Sequence, residues 1–392
     1  MPMTSLGIYV QVPFCQTRCT YCNFHTGVVS SARFAPYVAA VCVEIEKHQE
    51  LYVPAGIGIP NSVAEGARPD TVYIGGGTPS LLDPTHLQTI LDSIRATFSC
   101  DLREVTLEAD PETINAIKAA AWAAAGINRV SFGVQSFSDL ELAAVGRMHR
   151  QADIYRAVPI LRNAGIRNIS FDLIAGLPLQ TRESWGESLR RLIELAPEHV
   201  SVYVLEVDEK SRLGSELLKG GTRYSAKAVP SEDQMAEFYE AAQRALGGAG
   251  YHHYEISNWA KPGFESHHNL KYWRREPYLG FGAGAHSFSG PQRWANAHDA
   301  AGYVKALQEG ALPVEQLENV TSEAALEEEL FLGLRQLDGI DVSRIEKNYA
   351  VSLTPRFAPL ASSGLVEWNG PVVRLAPSRL SVSNEVFVEL LR

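Results

Sequence analysis

Short runs of hydrophobic and β-branched residues recur through the first 250 residues, and they alternate with longer stretches whose apolar positions follow helical spacing. Six of the short runs predict strands, at Gly7–Val12, Thr71–Ile74, Glu104–Leu107, Arg129–Phe132, Asn168–Leu173 and His199–Leu205. Helices are predicted near 33–50, 84–97, 112–125, 152–164, 181–195 and 232–247, with a seventh strand at Tyr251–Ile256. Because strands that alternate with helices pair in parallel, the pattern predicts an α/β fold, either a βα barrel or an open sheet.

Polar or glycine-rich residues follow each of the six strands at its carboxyl end. Cysteines follow the first strand, Gly75-Gly76-Gly77-Thr78-Pro79 follows the second, and the other four run into Glu108, Gln135, Asp172 and Glu206. The carboxyl ends of the strands in a βα barrel gather on one face, where active sites are built. We therefore predict a single site at these ends.

Local signals place several boundaries. Asp83-Pro84 and Asp110-Pro111 each predict a capping aspartate before a proline at the first helical position. From about Leu326 the pattern predicts helices and then a hairpin, with Asn369-Gly370 as its two-residue turn. We divide the chain into a barrel over residues 1–250, an accessory region over 251–325, and a small C-terminal α/β module of winged-helix type over 326–392.

The charge balance narrows the class of partner. The 392 residues carry a net charge of −10, which argues against nucleic acid as a partner because phosphate binding requires clustered lysine and arginine. Met1–Gln11 shows no basic stretch followed by an apolar run, and no segment approaches the ~18 apolar residues of a membrane-spanning helix. These features predict a cytoplasmic protein.

Three of the five cysteines lie within eight residues, as Cys15-x3-Cys19-x2-Cys22. Sulfur ligands select zinc or an iron–sulfur cluster. A structural zinc ion takes four protein ligands, and His25 could complete such a set, so a zinc-stabilised binding module is one alternative. On a cubane cluster, three thiolates would leave one iron open for an outside ligand.

This cysteine motif, with Tyr21 before its last cysteine, resembles the signature of the radical S-adenosylmethionine (SAM) superfamily, and Gly75–Pro79 resembles the GGGTP segment of that superfamily. The resemblance implies a partial (β/α)6 barrel and a [4Fe-4S] cluster on the three cysteines, whose open iron binds SAM. It also implies SAM contacts at Tyr9, Tyr21, Gly76, Gly77, Thr78, Glu108, Gln135, Arg147 and Asp172. Glycines allow the backbone to approach a ligand closely, and an aspartate can accept hydrogen bonds from ribose hydroxyls.

Within the superfamily, the chain resembles the porphyrin-handling branch of HemN and HemW, and HemW more closely. Position 24 is phenylalanine where the HemN pattern has a fourth cysteine, only 14 residues precede the first cysteine, and the segment from His268 to Trp273 matches the HNxxYW motif of HemW. The resemblance implies haem binding at His268, Asn269, Tyr272 and Trp273, with His252, His253 and His267 as further candidate ligands. The alternative is that the aromatics are core residues and the histidines are hydrogen-bonded surface groups.

The function that this resemblance implies is that of a haem chaperone, which carries a [4Fe-4S] cluster, SAM and haem and delivers haem to acceptor proteins. The sequence does not decide whether the chain forms a homodimer or transiently contacts a membrane. The rival is a radical SAM enzyme acting on a porphyrin, either an oxygen-independent coproporphyrinogen III dehydrogenase or a related methyltransferase. Phe24 and the short N-terminus argue against the dehydrogenase. The segment Gly280–His286, dense in small residues, has no assigned role.

Overall fold

Parallel strands form the framework of the residues that the computed structural model describes, which are 5–60 and 68–390. The first eight strands are β1 (Leu6–Val12), β2 (Phe14–Cys15), β3 (Gly27–Val28), β4 (Pro69–Gly76), β5 (Glu104–Ala109), β6 (Arg129–Gln135), β7 (Asn168–Ala175) and β8 (His199–Val204). β1 and β4 to β8 lie side by side and pair in parallel, in chain order. All six predicted barrel strands are therefore confirmed.

Helices follow each of these strands. They are α1 (Phe34–Tyr52), α2 (Pro84–Thr97), α3 (Ala116–Ala124), α4 (Asp139–Ala144), α5 (Gln151–Asn163), α6 (Arg182–Leu195), α7 (Arg212–Leu218) and α8 (Glu232–Gly248). The Asp83 carboxylate accepts the amide of Thr85 at 2.9 Å, which confirms the predicted cap of α2. At Asp110-Pro111 the prediction is only partly right: a 3-10 turn, Pro111–Thr113, begins after Asp110, but the Asp110 side chain makes no capping hydrogen bond, and α3 begins only after Asn115, whose side chain caps it.

The sheet continues beyond the six barrel strands at both edges. The added elements are β9 (His252–Glu255), β10 (Asn258–Ala260), α9 (His267–Trp273), β11 (Tyr278–Phe281), β12 (His286–Phe288), β13 (Gln292–Asn296), α10 (Ala300–Gln308) and β14 (Val314–Asn319). The strand order is β14-β13-β12-β11-β1-β4-β5-β6-β7-β8-β10-β9, so this twelve-stranded sheet of the described residues is a partial barrel with two free edges. β11 is a further parallel strand beside β1, which the sequence did not predict.

The segment Gly280–His286 is fixed to α1 by a buried carboxylate. Glu44 accepts hydrogen bonds from the amide of Gly282 at 2.9 Å and from the side chain of Asn296 at 2.6 Å. The hydroxyls of Tyr52 and Tyr303 donate to the same carboxylate at 2.6 and 2.5 Å. Four donors compensate the cost of burying this charge. Glu44 therefore holds the segment that joins β11 to β12.

The C-terminal residues form a small α/β module, as predicted. It contains α11 (Ser322–Leu334), β15 (Ile340–Asp341), α12 (Val342–Tyr349), α13 (Thr354–Ser362), β16 (Val366–Asn369), β17 (Val372–Leu375) and α14 (Ser383–Leu390). Asn369 pairs with Val372, so the hairpin turn is Gly370-Pro371, one residue later than predicted. No described helix is both long enough and apolar enough to cross a lipid bilayer.

Candidate functional site

The cysteine loop leaves the barrel at the carboxyl end of β1. Cys15 ends β2, a short strand that pairs with β3, and Cys19 is buried. A hydrogen bond joins this loop to the segment between α4 and α5: the amide of Thr20 donates to the carbonyl of Val145 at 3.0 Å. Burial raises the pKa of the Cys15 and Cys22 thiols, and nearby hydrogen-bond donors oppose that shift. The three predicted ligands therefore sit on one loop at the predicted face.

The glycine segment after β4 lies directly against this loop. The amide of Gly77 donates to the Val12 carbonyl at 2.8 Å, and the amide of Thr78 donates to the Phe14 carbonyl at 2.6 Å. A Cβ atom at Gly77 would lie 2.4 Å from the Phe14 carbonyl oxygen and 3.0 Å from the Cys15 sulfur. Position 77 therefore requires glycine for a backbone approach to the cysteine loop.

Arg147 connects the same loop to the strand ends. Its guanidinium forms a largely buried ion pair with Asp110, donates to the Gly133 carbonyl at 2.7 Å and lies 3.8 Å from the Cys19 sulfur. The other carboxylate oxygen of Asp110 accepts from the hydroxyl of Thr78 at 3.1 Å. Asp110, misread from the sequence as a cap, thus joins two of the predicted SAM-binding residues.

Glu108 supports the glycine segment from the barrel interior. Its carboxylate accepts the amide of Gly76 at 2.9 Å and the hydroxyl of Tyr73 at 2.8 Å. Burial raises the pKa of Glu108 to about 7, and nearby carboxylates add to the shift. The ring of Tyr9 stacks on Tyr73 with centroids 6.0 Å apart, and its hydroxyl donates to Gln11 at 2.6 Å. Tyr73 and Gln11 are site residues that strand periodicity alone did not single out.

The remaining predicted SAM residues lie on β6, β7 and the cysteine loop. Gln135 ends β6 with a φ of 61°, a strained angle for a residue other than glycine. Asp172 accepts from the Ser131 hydroxyl at 3.1 Å, and burial raises the pKa of its carboxyl. Tyr21 is partly buried beside Arg147, and this desolvation raises the pKa of its hydroxyl. The structure thus gathers all nine predicted residues around the carboxyl ends of the strands.

The chemistry of this face fits a sulfur-ligated cluster with a small molecule beside it. Three thiols supply soft ligands, Gly77 lets the glycine segment pack closely against Cys15, and Arg147 directs a positive charge to Cys19. Among the described residues, no three His, Cys, Asp or Glu side chains converge as a single metal ion would require. His25, the alternative fourth ligand for zinc, stacks on His298 with ring centroids 3.9 Å apart.

The HNxxYW segment lies at the other end of the barrel. His268 is fully buried in α9, and its Nδ1 is 2.9 Å from the hydroxyl of Thr71, near the start of β4. Its Nε2 is 2.8 Å from the hydroxyl of Tyr272, so both ring nitrogens are engaged within the chain. Thr71 and Gly76 are five residues apart on one strand, which corresponds to about 16 Å between the two ends.

The other residues of the segment hold α9 against the amino ends of the barrel strands. The backbone amides of His267 and His268 donate to Glu104 at 3.0 and 2.9 Å, and this carboxylate thereby caps the helix. Asn269 lies in the first turn of α9, and the ring of Tyr272 meets Tyr278 edge-on at 4.7 Å. The guanidinium of Arg335 lies 4.5 Å from the ring centroid of Trp273. Through these contacts α9 covers the amino end of the barrel.

Comparisons with known proteins agree with this architecture. The family model of the radical SAM superfamily matches residues 9–192, and the HemN C-terminal domain matches residues 320–378. A protein of Bacillus subtilis (strain 168) named "Heme chaperone HemW" is 37% identical over 387 residues, 97% of each chain. A protein of the same name from Lactococcus lactis subsp. lactis (strain IL1403) is 32% identical and covers 98% of this chain and 96% of its own.

A solved structure shares the fold. It is described as "Coproporphyrinogen III oxidase (HemN) from Escherichia coli is a Radical SAM enzyme", and it superposes with a TM-score of 0.81. The match covers 100% of this chain and 91% of the other at 23% identity. The radical SAM barrel and the C-terminal module predicted from the sequence are therefore confirmed.

Proposed function

The chain belongs to the HemW family within the radical SAM superfamily, and from that premise we propose that it is a haem chaperone, which binds haem and delivers it to acceptor proteins. The observation that carries this proposal is the likeness, over nearly the whole of both chains, to proteins named for that activity. The proposal keeps the predicted cytoplasmic location, includes no nucleic-acid partner, and leaves a homodimer and transient membrane contact open.

Cys15, Cys19 and Cys22 are the proposed ligands of a [4Fe-4S] cluster, which membership of the superfamily implies together with SAM. When bound, the cluster would supply one iron that is open to SAM. The surrounding chain supports this arrangement, because Gly77 lets the backbone pack against Cys15 and Arg147 places its charge beside Cys19.

The proposed SAM-binding residues are those gathered at the strand ends: Tyr9, Tyr21, Gly76, Gly77, Thr78, Glu108, Gln135, Arg147 and Asp172. Glu108 is suited to a positively charged group, because its pKa of about 7 leaves the carboxyl partly protonated at neutral pH and a nearby cation would favour its ionised form. Asp172 faces Ser131 within the barrel and offers acceptor oxygens to hydroxyl groups.

Haem binding through His268, Asn269, Tyr272 and Trp273 remains a prediction. Ligation of iron by His268 would require its ring to release Thr71 or Tyr272, since a hydrogen-bonded nitrogen is not free to bind a metal. The replacement His268→Ala, followed by the axial-ligand spectrum of the bound haem as well as by its affinity, therefore tests whether the motif binds haem directly or only packs against the amino end of the barrel.

The proposal is tested on the full chain, reconstituted with iron and sulfide without oxygen. We expect cluster absorbance and iron in the wild type and in Cys100→Ala, and loss of both in Cys15→Ala, Cys19→Ala and Cys22→Ala. Haem titration of the reconstituted protein should shift the Soret band, and the bound haem should pass to an apo-protein acceptor. The absence of a Soret shift, or turnover of coproporphyrinogen III, would contradict the chaperone proposal.

A further inference from the structure

A cavity of about 760 Å³ lies on the outer side of the cysteine loop, against the amino ends of α1 and α10. Its walls are mainly apolar and include Phe14, Phe24, Val29, Tyr37 and Val304. The ring of Phe24 is 66% exposed, although it follows Cys22 by only two residues. The volume falls within the ~300–1,000 Å³ typical of sites that enclose organic ligands.

Two imidazoles stand in the wall of this cavity without a hydrogen bond among the described residues. The rings of His25 and His298 are stacked with centroids 3.9 Å apart and planes 26° apart. The Nδ1 atom of His298 is buried and has no partner. That atom lies toward Gly284, where a Cβ would be 2.9 Å from it, so the imidazole of His25, which is exposed, and the other ring nitrogen of His298 are the groups available to a ligand in the cavity.

Three cations line the same cavity, although the chain has a net charge of −10. Arg18, Arg33 and Lys210 form no ion pair with any carboxylate of the described residues. The nearby carboxylate of Asp299 is engaged by the amide of Gly302 at 2.8 Å, where it caps α10. Their charge therefore remains available to the carboxylates of a bound molecule.

We propose that this cavity holds the haem of the chaperone, with its flat apolar face against Phe24 and Val304, its carboxylates toward the three cations, and one imidazole of the His25–His298 pair on its iron. This inference rests on the proposed function and places the haem in this cavity instead of at the predicted His268 motif, where both ring nitrogens of His268 already have partners within the chain. Imidazole is a common ligand of haem iron, and an apolar wall with a charged rim matches a macrocycle that carries carboxylates. Haem in this cavity would adjoin the cysteine loop, since Arg18 and Phe24 belong to that loop.

The test is a haem titration of the full-length, anaerobically reconstituted protein, followed by Soret absorbance and by resonance Raman spectra of the axial ligand. Because the two rings are adjacent and either could ligate iron, they are replaced together, as His25→Ala with His298→Ala. We expect this double variant to bind haem about tenfold more weakly or worse and to lose the imidazole signature. His86→Ala, a histidine on α2 that does not line the cavity, is the matched control and should behave as the wild type.

A second variant tests the cavity without touching the imidazoles. Phe24→Asp places a negative charge in the apolar wall, and since that ring is 66% exposed the fold should be unaffected. We expect weaker haem binding with unchanged iron and sulfide content. Wild-type affinity and an unchanged imidazole signature in both the double variant and Phe24→Asp would overturn the inference. A wild type that binds no haem would instead refute the proposed function.

Discussion

The replacement Asp110→Asn is the sharpest test of how the site is held together. Asp110 and Arg147 form an ion pair whose side chains are only 19% and 10% exposed. Asparagine preserves the shape, but its single oxygen can accept from Thr78 or from Arg147 and not from both, and it removes the charge that balances the guanidinium. The replacement therefore removes both the charge and one hydrogen bond of Asp110 from the contact that supports the cysteine loop.

The expected cost follows from the burial of the pair. Removing one partner of a buried ion pair costs ~3–5 kcal/mol, because the other charge is left without compensation. Arg147 keeps its hydrogen bond to the Gly133 carbonyl at 2.7 Å, so we expect the lower value, about 3 kcal/mol. With an unfolding entropy of ~2.1 cal/mol/K per residue, a chain of 392 residues that unfolds as one unit would lose about 4 °C in Tm.

Thermal unfolding and iron content together measure this effect. Since Arg147 lies 3.8 Å from the Cys19 sulfur, we also expect Asp110→Asn to retain less iron per chain after reconstitution. The control is Asp92→Asn, which breaks a surface pair of 3.3 Å with Arg95 and should cost less than about 1 kcal/mol. If Asp110→Asn kept both the Tm and the iron content of the wild type, the pair would not support the cysteine loop.

Three further replacements test other parts of the structure. Gly77→Ala should abolish iron binding, because its Cβ would collide with the backbone of the cysteine loop. The control Gly186→Ala, in open space on α6, should retain full iron content. Equal iron content in the two variants would contradict the requirement for glycine at position 77. Glu44→Gln should lower the free energy of unfolding by about 2–4 kcal/mol, because two of the four donors to this carboxylate lose their acceptor. The measurement is urea unfolding, and an unchanged urea midpoint would contradict the prediction. His268 has a pKa lowered to about 3, chiefly by burial, so the unfolded chain binds a proton between about pH 6.5 and 3 that the folded chain excludes. Stability should therefore fall by about 2 kcal/mol from pH 7 to pH 5 because of this group. The loss of stability between pH 7 and pH 5 should be about 2 kcal/mol smaller in His268→Gln than in the wild type, whereas the control His252→Gln should behave as the wild type. An equal loss in the wild type and both variants would contradict a neutral, buried His268.

The strands, most helices and the residues at the strand ends could be predicted because their signals are local. Alternation of strands with helices fixes parallel pairing, and parallel pairing places Glu108, Gln135 and Asp172 on one face. Asp110 was misread for the same reason. An Asp-Pro pair is a local signal of a helix cap, whereas its actual partner Arg147 lies 37 residues away. Only the fold reveals that contact.

The position of α9 could not be predicted from local sequence signals either. The sequence identifies His268, Tyr272 and Trp273 as a motif, but it does not say toward which end of the barrel the chain returns after β10. Likewise β11 pairs with β1 across some 270 residues, and the cavity beside Phe24 is formed by residues from the cysteine loop, α1 and the start of α10. Such arrangements depend on tertiary packing, which periodicity does not encode.

The two ends of the barrel are joined by a continuous series of contacts, and this affects how haem-binding data should be interpreted. The ring of His268 lies 5.3 Å from that of Tyr73, whose hydroxyl donates to Glu108, and Glu108 in turn accepts the amide of Gly76. A replacement of His268 can therefore disturb the glycine segment, about 16 Å away along β4, without His268 touching any ligand. Weaker haem binding in such a variant would fit a positioning role as well as ligation. The axial-ligand spectrum of the bound haem, rather than its affinity alone, identifies the histidine on the iron.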